Sequence, residues 1–70
     1  MTVYFHMFQT SQIWQAAVHQ LNSDILLRHI RVNSEVGNSH LALNYSEDTH
    51  TGQILNQDNG IIGEFMVEQA

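Results

Sequence analysis

The chain has 70 residues, of which 43% are hydrophobic and 13% charged, and it contains neither cysteine nor proline. A chain of this length, residues 1–70, forms at most one domain. Its hydrophobic fraction is typical of a folded chain and not of a disordered one. Without cysteine, disulfide bonds, thiolate metal sites and cysteine nucleophiles are excluded.

The net charge of −5 lies entirely in the last third of the sequence. Residues 1–46 sum to zero, whereas residues 47–70 hold five acidic residues and no Lys or Arg. A DNA-binding site typically engages about six to ten phosphates, which the chain's two Arg cannot neutralise. Nucleic acids and anionic membranes are therefore not expected as partners. The acidic last third of the chain could instead bind a basic protein surface.

No apolar stretch reaches the roughly 18 residues of a membrane-spanning helix, and the first residues lack the basic flank of a signal peptide. We therefore expect a cytoplasmic protein. Because a core this small supplies little stability, and small domains often complete their burial by self-association, we expect a homo-oligomer, most simply a dimer.

The first half of the chain predicts one strand and one helix. Residues 3–8 are rich in aromatic and β-branched types and carry no charge, which favours a buried strand. The apolar stripe Ile13, Trp14, Ala17, Val18 and Leu21 has helical spacing. We expect a helix over residues 11–22, with Ser11 as its N-cap and residues 22–24 as its end.

The second half predicts an antiparallel meander. Residues 25–32 favour a strand, and residues 33–39 with Gly37 a loop. Leu41, Leu43 and Tyr45 alternate with polar or small residues as in a half-buried strand. The fold class is therefore α+β, with one helix packed on a mainly antiparallel sheet in the order β-α-β-β-β-β.

The strongest local signal is Asn59-Gly60, a dipeptide typical of a two-residue type I′ turn. A turn centred there pairs Ile54 with Phe65 and Asn56 with Gly63. If the preceding turn lies within residues 47–52, Tyr45 faces Ile54. Tyr45, Ile54 and Phe65 then form one cross-strand apolar row in the core.

One helix covers only one face of such a sheet, so the other face predicts an interface. The covered face would collect Leu26, Ile30, Val32, Leu41, Leu43, Tyr45, Ile54, Phe65 and Val67. The uncovered face would present the candidate interface residues Leu27, Leu55, Ile62 and Met66. Burying these four side chains against a second copy would remove them from water.

A pocket beneath the helix is the second candidate site. Trp14, Tyr45 and Phe65 are its predicted lining, although Trp14 also fits the role of a central core residue. The five histidines lie on five different predicted elements, so the spacing indicates no metal site. No motif of a nucleophile or phosphate-binding loop is present, and no cofactor is expected.

Two classes of function follow from these observations. The first is a non-catalytic protein-interaction module that self-associates, and the second is a small-ligand-binding protein with an apolar pocket under the helix or between subunits. An enzyme is not expected. A filled core with an apolar outer face would favour the first class, and a dry pocket beside Trp14 the second.

Overall fold

The computed structural model describes residues 1–34 and 40–69. Its elements are β1 (Thr2–Met7), β2 (Gln12–Ala17), α1 (Ser23–Asn33), β3 (Ala42–Ser46), β4 (Thr51–Leu55) and β5 (Ile61–Glu68). The five strands form one sheet in the order β2-β1-β5-β4-β3, and all neighbours are antiparallel. The predicted class, a small α+β fold with one helix packed on an antiparallel sheet, is confirmed.

The predicted position of the helix is wrong. Residues 12–17 form the strand β2, which pairs with β1 and places Phe5 opposite Trp14, while the helix lies at Ser23–Asn33 and comes third in the chain. Ser11, the expected N-cap, instead has a φ of 56° in the turn between β1 and β2. The predicted strand over residues 25–32 is therefore also wrong.

The residues expected to end a helix begin one. Asn22 is the N-cap, and its Oδ1 accepts a hydrogen bond from the backbone N–H of Ile25 at 2.9 Å. Asp24 lies in the first turn, where its negative charge interacts favourably with the positive end of the helix dipole. Leu26 and Ile30, one helical turn apart, are buried against the sheet. Val32 was predicted on the covered face, but it is 77% exposed, so that prediction is wrong.

The turn between β4 and β5 has three residues and not two. Asn56 N–H donates to Gly60 O at 2.9 Å, Asn59 N–H donates to Asn56 O at 3.0 Å, and Asn59 has a φ of 64°. The Asn56 side chain supports this loop, because its Oδ1 accepts from the N–H groups of Asp58 and Gly60. A type I turn followed by a left-handed residue is the usual geometry of such a loop.

This longer turn changes the strand register. Together with an irregularity beside Ile54, it places Ile54 opposite Gly63 and Phe65 opposite Gly52. Tyr45 is also opposite Gly52 and not Ile54. The predicted direct pairing of Ile54 with Phe65 is therefore wrong, although both side chains are buried in the same core.

A row of aromatic side chains crosses the covered face in place of the predicted row. The paired positions across the sheet, from β3 to β2, are Tyr45, Gly52, Phe65, Phe5 and Trp14, and all of them except Gly52 are aromatic. The ring of Phe65 stacks on Tyr45 across Gly52 at 6.0 Å, and Phe5 lies 6.4 Å from Phe65 and 4.9 Å from Trp14. The missing side chain at Gly52 is what lets the two rings meet.

The core lies between this row and α1. Its buried residues are Val3, Phe5, Met7, Val18, Leu26, Ile30, Leu41, Ile54, Phe65 and Val67. Phe5 occupies the centre, at 1% exposure. Trp14, expected as the central residue, packs against the side of this core from the edge strand β2 and is only partly buried.

Candidate functional site

The face of the sheet opposite α1, which we call the open face, is not covered by the described helix. Because side chains alternate along a strand, the open face presents Thr2, Tyr4, His6, Ile13, Gln15, Ala17, Ala42, Asn44, Ser46, Thr51, Gln53, Glu64, Met66 and Glu68. Most of these side chains are polar, which suits an antiparallel sheet with one face in water. The large apolar exceptions are Ile13, 73% exposed, and Met66, 47% exposed.

Two polar contacts link β1 to β5 on the open face. His6 Nδ1 lies 3.4 Å from Glu64 Oε1, and the Tyr4 hydroxyl donates to Glu68 Oε2 at 3.4 Å. These contacts are long and exposed to water, so each contributes little to stability. They leave the two carboxylates accessible, which makes the centre of the open face acidic.

A shallow depression of about 260 Å³ lies beside these contacts. Its lining on the open face combines the apolar Ile13 and Met66 with Tyr4, His6 and Glu64. It is open to solvent, and it offers a contact surface of mixed polarity. An enclosed, mostly apolar cavity is what small ligands usually occupy.

The edge strand β2 borders the open face and carries no charge. Met1 and Val18 exchange hydrogen bonds, because Val18 N–H donates to Met1 O at 2.9 Å and the Met1 amino group to Val18 O at 3.1 Å. In an antiparallel pair the bonded positions alternate. Ile13, Gln15 and Ala17 therefore direct their backbone N–H and C=O groups away from β1, along the outer edge of the sheet.

The four predicted interface residues do not form one surface. Met66 lies on the open face as expected, and Leu55 and Ile62 are partly buried beside the β4–β5 irregularity, where Ile62 packs on the core. Leu27 lies on α1 and not on the sheet. Ile13 was missed, because its spacing to Trp14 and Ala17 predicted a helix and gave no sign of an edge strand.

The three predicted pocket residues are divided between two places. Tyr45 and Phe65 line a cleft of about 170 Å³ together with Asn22, Ser23 and Leu26 at the beginning of α1. Trp14 lies at the opposite end of the aromatic row. Its Nε1 is buried and has no hydrogen-bond partner among the residues that the structure describes.

The histidines lie far apart in the sequence, on β1, on α1 and in the segments between elements. His6 is on the open face and His50 in the β3–β4 turn, where its Nδ1 lies 3.4 Å from the Tyr45 hydroxyl. Within residues 1–34 and 40–69, no three His, Asp or Glu residues are grouped as metal ligands.

We predict that Zn²⁺ and Ni²⁺ bind no tighter than about micromolar, because a closed structural site would be far tighter. Isothermal titration of the whole chain measures this directly. A one-to-one nanomolar site that is lost in His50→Ala would contradict the prediction.

Comparisons with known proteins give no relative from which a function can be transferred. No protein-family model matches the chain, and neither a curated protein nor a solved structure matches it. In the described part of the chain, no helix has the length and hydropathy needed to cross a membrane. The proposal for function therefore rests on the open face and the edge strand β2.

Proposed function

We propose that this protein is a non-catalytic interaction module that associates with a second copy of itself in the cytoplasm. The observation that carries the proposal is the uncovered Ile13, 73% exposed on an uncharged edge strand. A β-branched apolar side chain at such an edge favours association, since natural sheets usually protect their edges with charge, proline or a bulge.

The charge distribution supports a protein partner over a polyanion. The chain's only fixed cations, Arg28 and Arg31, both lie on α1, which also carries Asp24 in its first turn. The open face carries Glu64 and Glu68 instead. A phosphate backbone would be repelled by that face, whereas an uncharged edge strand is compatible with a second copy.

A small-ligand-binding protein is the second candidate, favoured by the cleft at the beginning of α1. Tyr45 and Phe65, both predicted as pocket residues, lie in its wall. Its volume of about 170 Å³ is below the roughly 300–1,000 Å³ of typical ligand sites. The size of the cleft therefore favours the interaction module.

The test is sedimentation equilibrium of wild type and Ile13→Glu over a hundredfold range of concentration. We expect a dimer of the 8.0 kDa chain whose dissociation constant rises at least about tenfold in Ile13→Glu, because a charge is then placed at the contact. Val32→Glu is the matched control, since it also replaces an exposed β-branched apolar side chain by glutamate, but on α1, where Val32 is 77% exposed.

A monomer of wild type at every concentration would overturn the proposal. Equal weakening by Ile13→Glu and Val32→Glu would also contradict it, because the effect would then come from net charge alone. Urea unfolding of both variants establishes that each is folded. Ile62, a candidate interface residue in the sequence, is unsuitable for this test because it packs on the core.

A further inference from the structure

We propose that two copies associate by antiparallel pairing of β2 with β2, centred on Gln15, so that two five-stranded sheets become one continuous sheet. This inference rests on the proposed self-association and specifies its surface. It is carried by three observations on β2: the direction of its backbone groups, the sizes of its side chains and its distance from the acidic residues.

The backbone of β2 has the groups that such pairing requires. Ile13, Gln15 and Ala17 direct their N–H and C=O groups outward, and β1 is the only strand that pairs with β2 among the described residues. A two-fold axis at Gln15 places Gln15 opposite Gln15 and Ile13 opposite Ala17 of the second copy. Each of these is a hydrogen-bonded position, so each pair exchanges both of its bonds.

The side chains of β2 are complementary to themselves in this register. Ile13 meets Ala17 of the second copy on the open face, and Trp14 meets Ala16 of the second copy on the covered face. Each large side chain thus lies beside an alanine, which leaves room for it across the new strand pair. Pairing also removes the exposed Ile13 from water.

Electrostatics favours this edge over contact between two open faces. Glu64 and Glu68 are on β5, two strands from the β2 edge. In the continuous sheet the two β5 strands are five spacings apart, or about 24 Å. Face-to-face packing would bring the same carboxylates within about 10 Å of their copies. Screening at physiological salt has a length of about 8 Å, so repulsion between the carboxylates is negligible at about 24 Å and only partly screened near 10 Å.

The other edge of the sheet, β3, offers less to a second copy. Its open-face side chains, Ala42, Asn44 and Ser46, are small or polar. Pairing at β3 would bury no large apolar side chain on that face. The difference between the two edges is therefore the exposed Ile13 and its complementary Ala17.

The experiment uses single cysteines, because the chain has none of its own. In the paired β2 strands the two Cα atoms at position 15 would be about 5.5 Å apart, within the range that a disulfide spans. Under mild oxidation we expect Gln15→Cys to form covalent dimers at least about tenfold faster than Asn44→Cys on β3 or Gln53→Cys on β4. All three positions are exposed.

Gln15→Pro supplies a second measurement. The outward N–H of Gln15 has no role in the β1–β2 pair, so proline removes only the bond to the second copy, and edge strands tolerate proline there. We expect the dissociation constant of the dimer to rise roughly ten- to a hundredfold, since two symmetric hydrogen bonds are lost. The urea midpoint of the monomer serves as the control for folding.

The outcomes separate this inference from the proposed function. A wild-type dimer with fast cross-linking at position 15 and weakening by Gln15→Pro supports β2 pairing. Faster cross-linking at position 44 or 53, in a chain that still dimerises, overturns β2 pairing and leaves self-association standing. A wild-type monomer at every concentration overturns both.

Discussion

Gly52→Ala is expected to destabilise the domain by about 3 kcal/mol, a large fraction of the roughly 3–5 kcal/mol that a core of this size supplies. A methyl group on Gly52 would overlap both the ring of Phe65 and the backbone carbonyl oxygen of Asn44. Phe65 cannot rotate away, because its ring lies between those of Phe5 and Tyr45. Asn44 belongs to β3, so relief requires that β3 separate from β4. Urea unfolding measures the loss.

Gly60→Ala is the matched control for this prediction. A methyl group there would meet only the flexible side chain of Asn56, at 3.2 Å and beyond. We expect its free energy of unfolding to stay within about 1 kcal/mol of wild type. Equal stability of Gly52→Ala and Gly60→Ala would show that the aromatic row does not require a glycine at its centre.

Phe5→Ala is expected to cost about 3–5 kcal/mol and to leave much of the protein unfolded at room temperature. Phe5 is 1% exposed, and its ring contacts the rings of Trp14 and Phe65 on either side. The ring of His29 on α1 lies 6.3 Å away. Truncation therefore opens a cavity where sheet and helix meet, which the surrounding strands cannot fill. Circular dichroism and urea unfolding report the loss.

Two further alanine variants serve as comparisons for the loss of unfolding free energy in Phe5→Ala. Phe8 follows β1 and is 42% exposed, so Phe8→Ala should cost less than about 1 kcal/mol. Trp14 is partly buried at the edge of the sheet, so the cost of Trp14→Ala should lie between those of Phe8→Ala and Phe5→Ala, at about 2 kcal/mol. A larger loss in Trp14→Ala than in Phe5→Ala would make Trp14 the centre of the core, as the sequence had suggested.

The α+β class was predictable from the sequence, and the position of the helix was not. The spacing of Ile13, Trp14 and Ala17 fits a helix, but in the structure this segment pairs with β1, and Phe5 stacks on Trp14. Such pairing depends on residues distant in the chain, which local periodicity does not report. Asn22 was ambiguous, because the same side chain that competes with a helix at its end caps a helix at its start.

The strand register failed for a different reason. Asn59-Gly60 predicted a two-residue turn, but the side chain of Asn56 binds two backbone N–H groups and stabilises a three-residue loop. Of the dipeptide Asn59-Gly60, Asn59 takes the left-handed conformation, whereas a type I′ turn requires it at both residues. The loop is centred on Asp58 and not between Asn59 and Gly60, and together with the irregularity beside Ile54 this moves the partner of Phe65 by two residues, from Ile54 to Gly52.

The candidate site was predictable in kind and not in detail. A single helix and a sheet of several strands imply an uncovered face, and Met66 is on it. Its partners Leu27, Leu55 and Ile62 were assigned from the wrong element or the wrong register. Ile13 and the backbone of β2 depend on which strand is at the edge, a property of sheet order that no local pattern in residues 12–17 records.

The pairing of β1 with β5 has a consequence for how the chain folds as it is synthesised. Thr2 lies opposite Glu68, so the central strand pair joins residues 66 positions apart. Until β5 leaves the ribosome, β1 is bonded on one side only, and its own uncharged edge is open to other nascent chains. The slowest contacts to form are thus those at the middle of the sheet, and shortening the chain before residue 61 would leave an aggregation-prone hairpin.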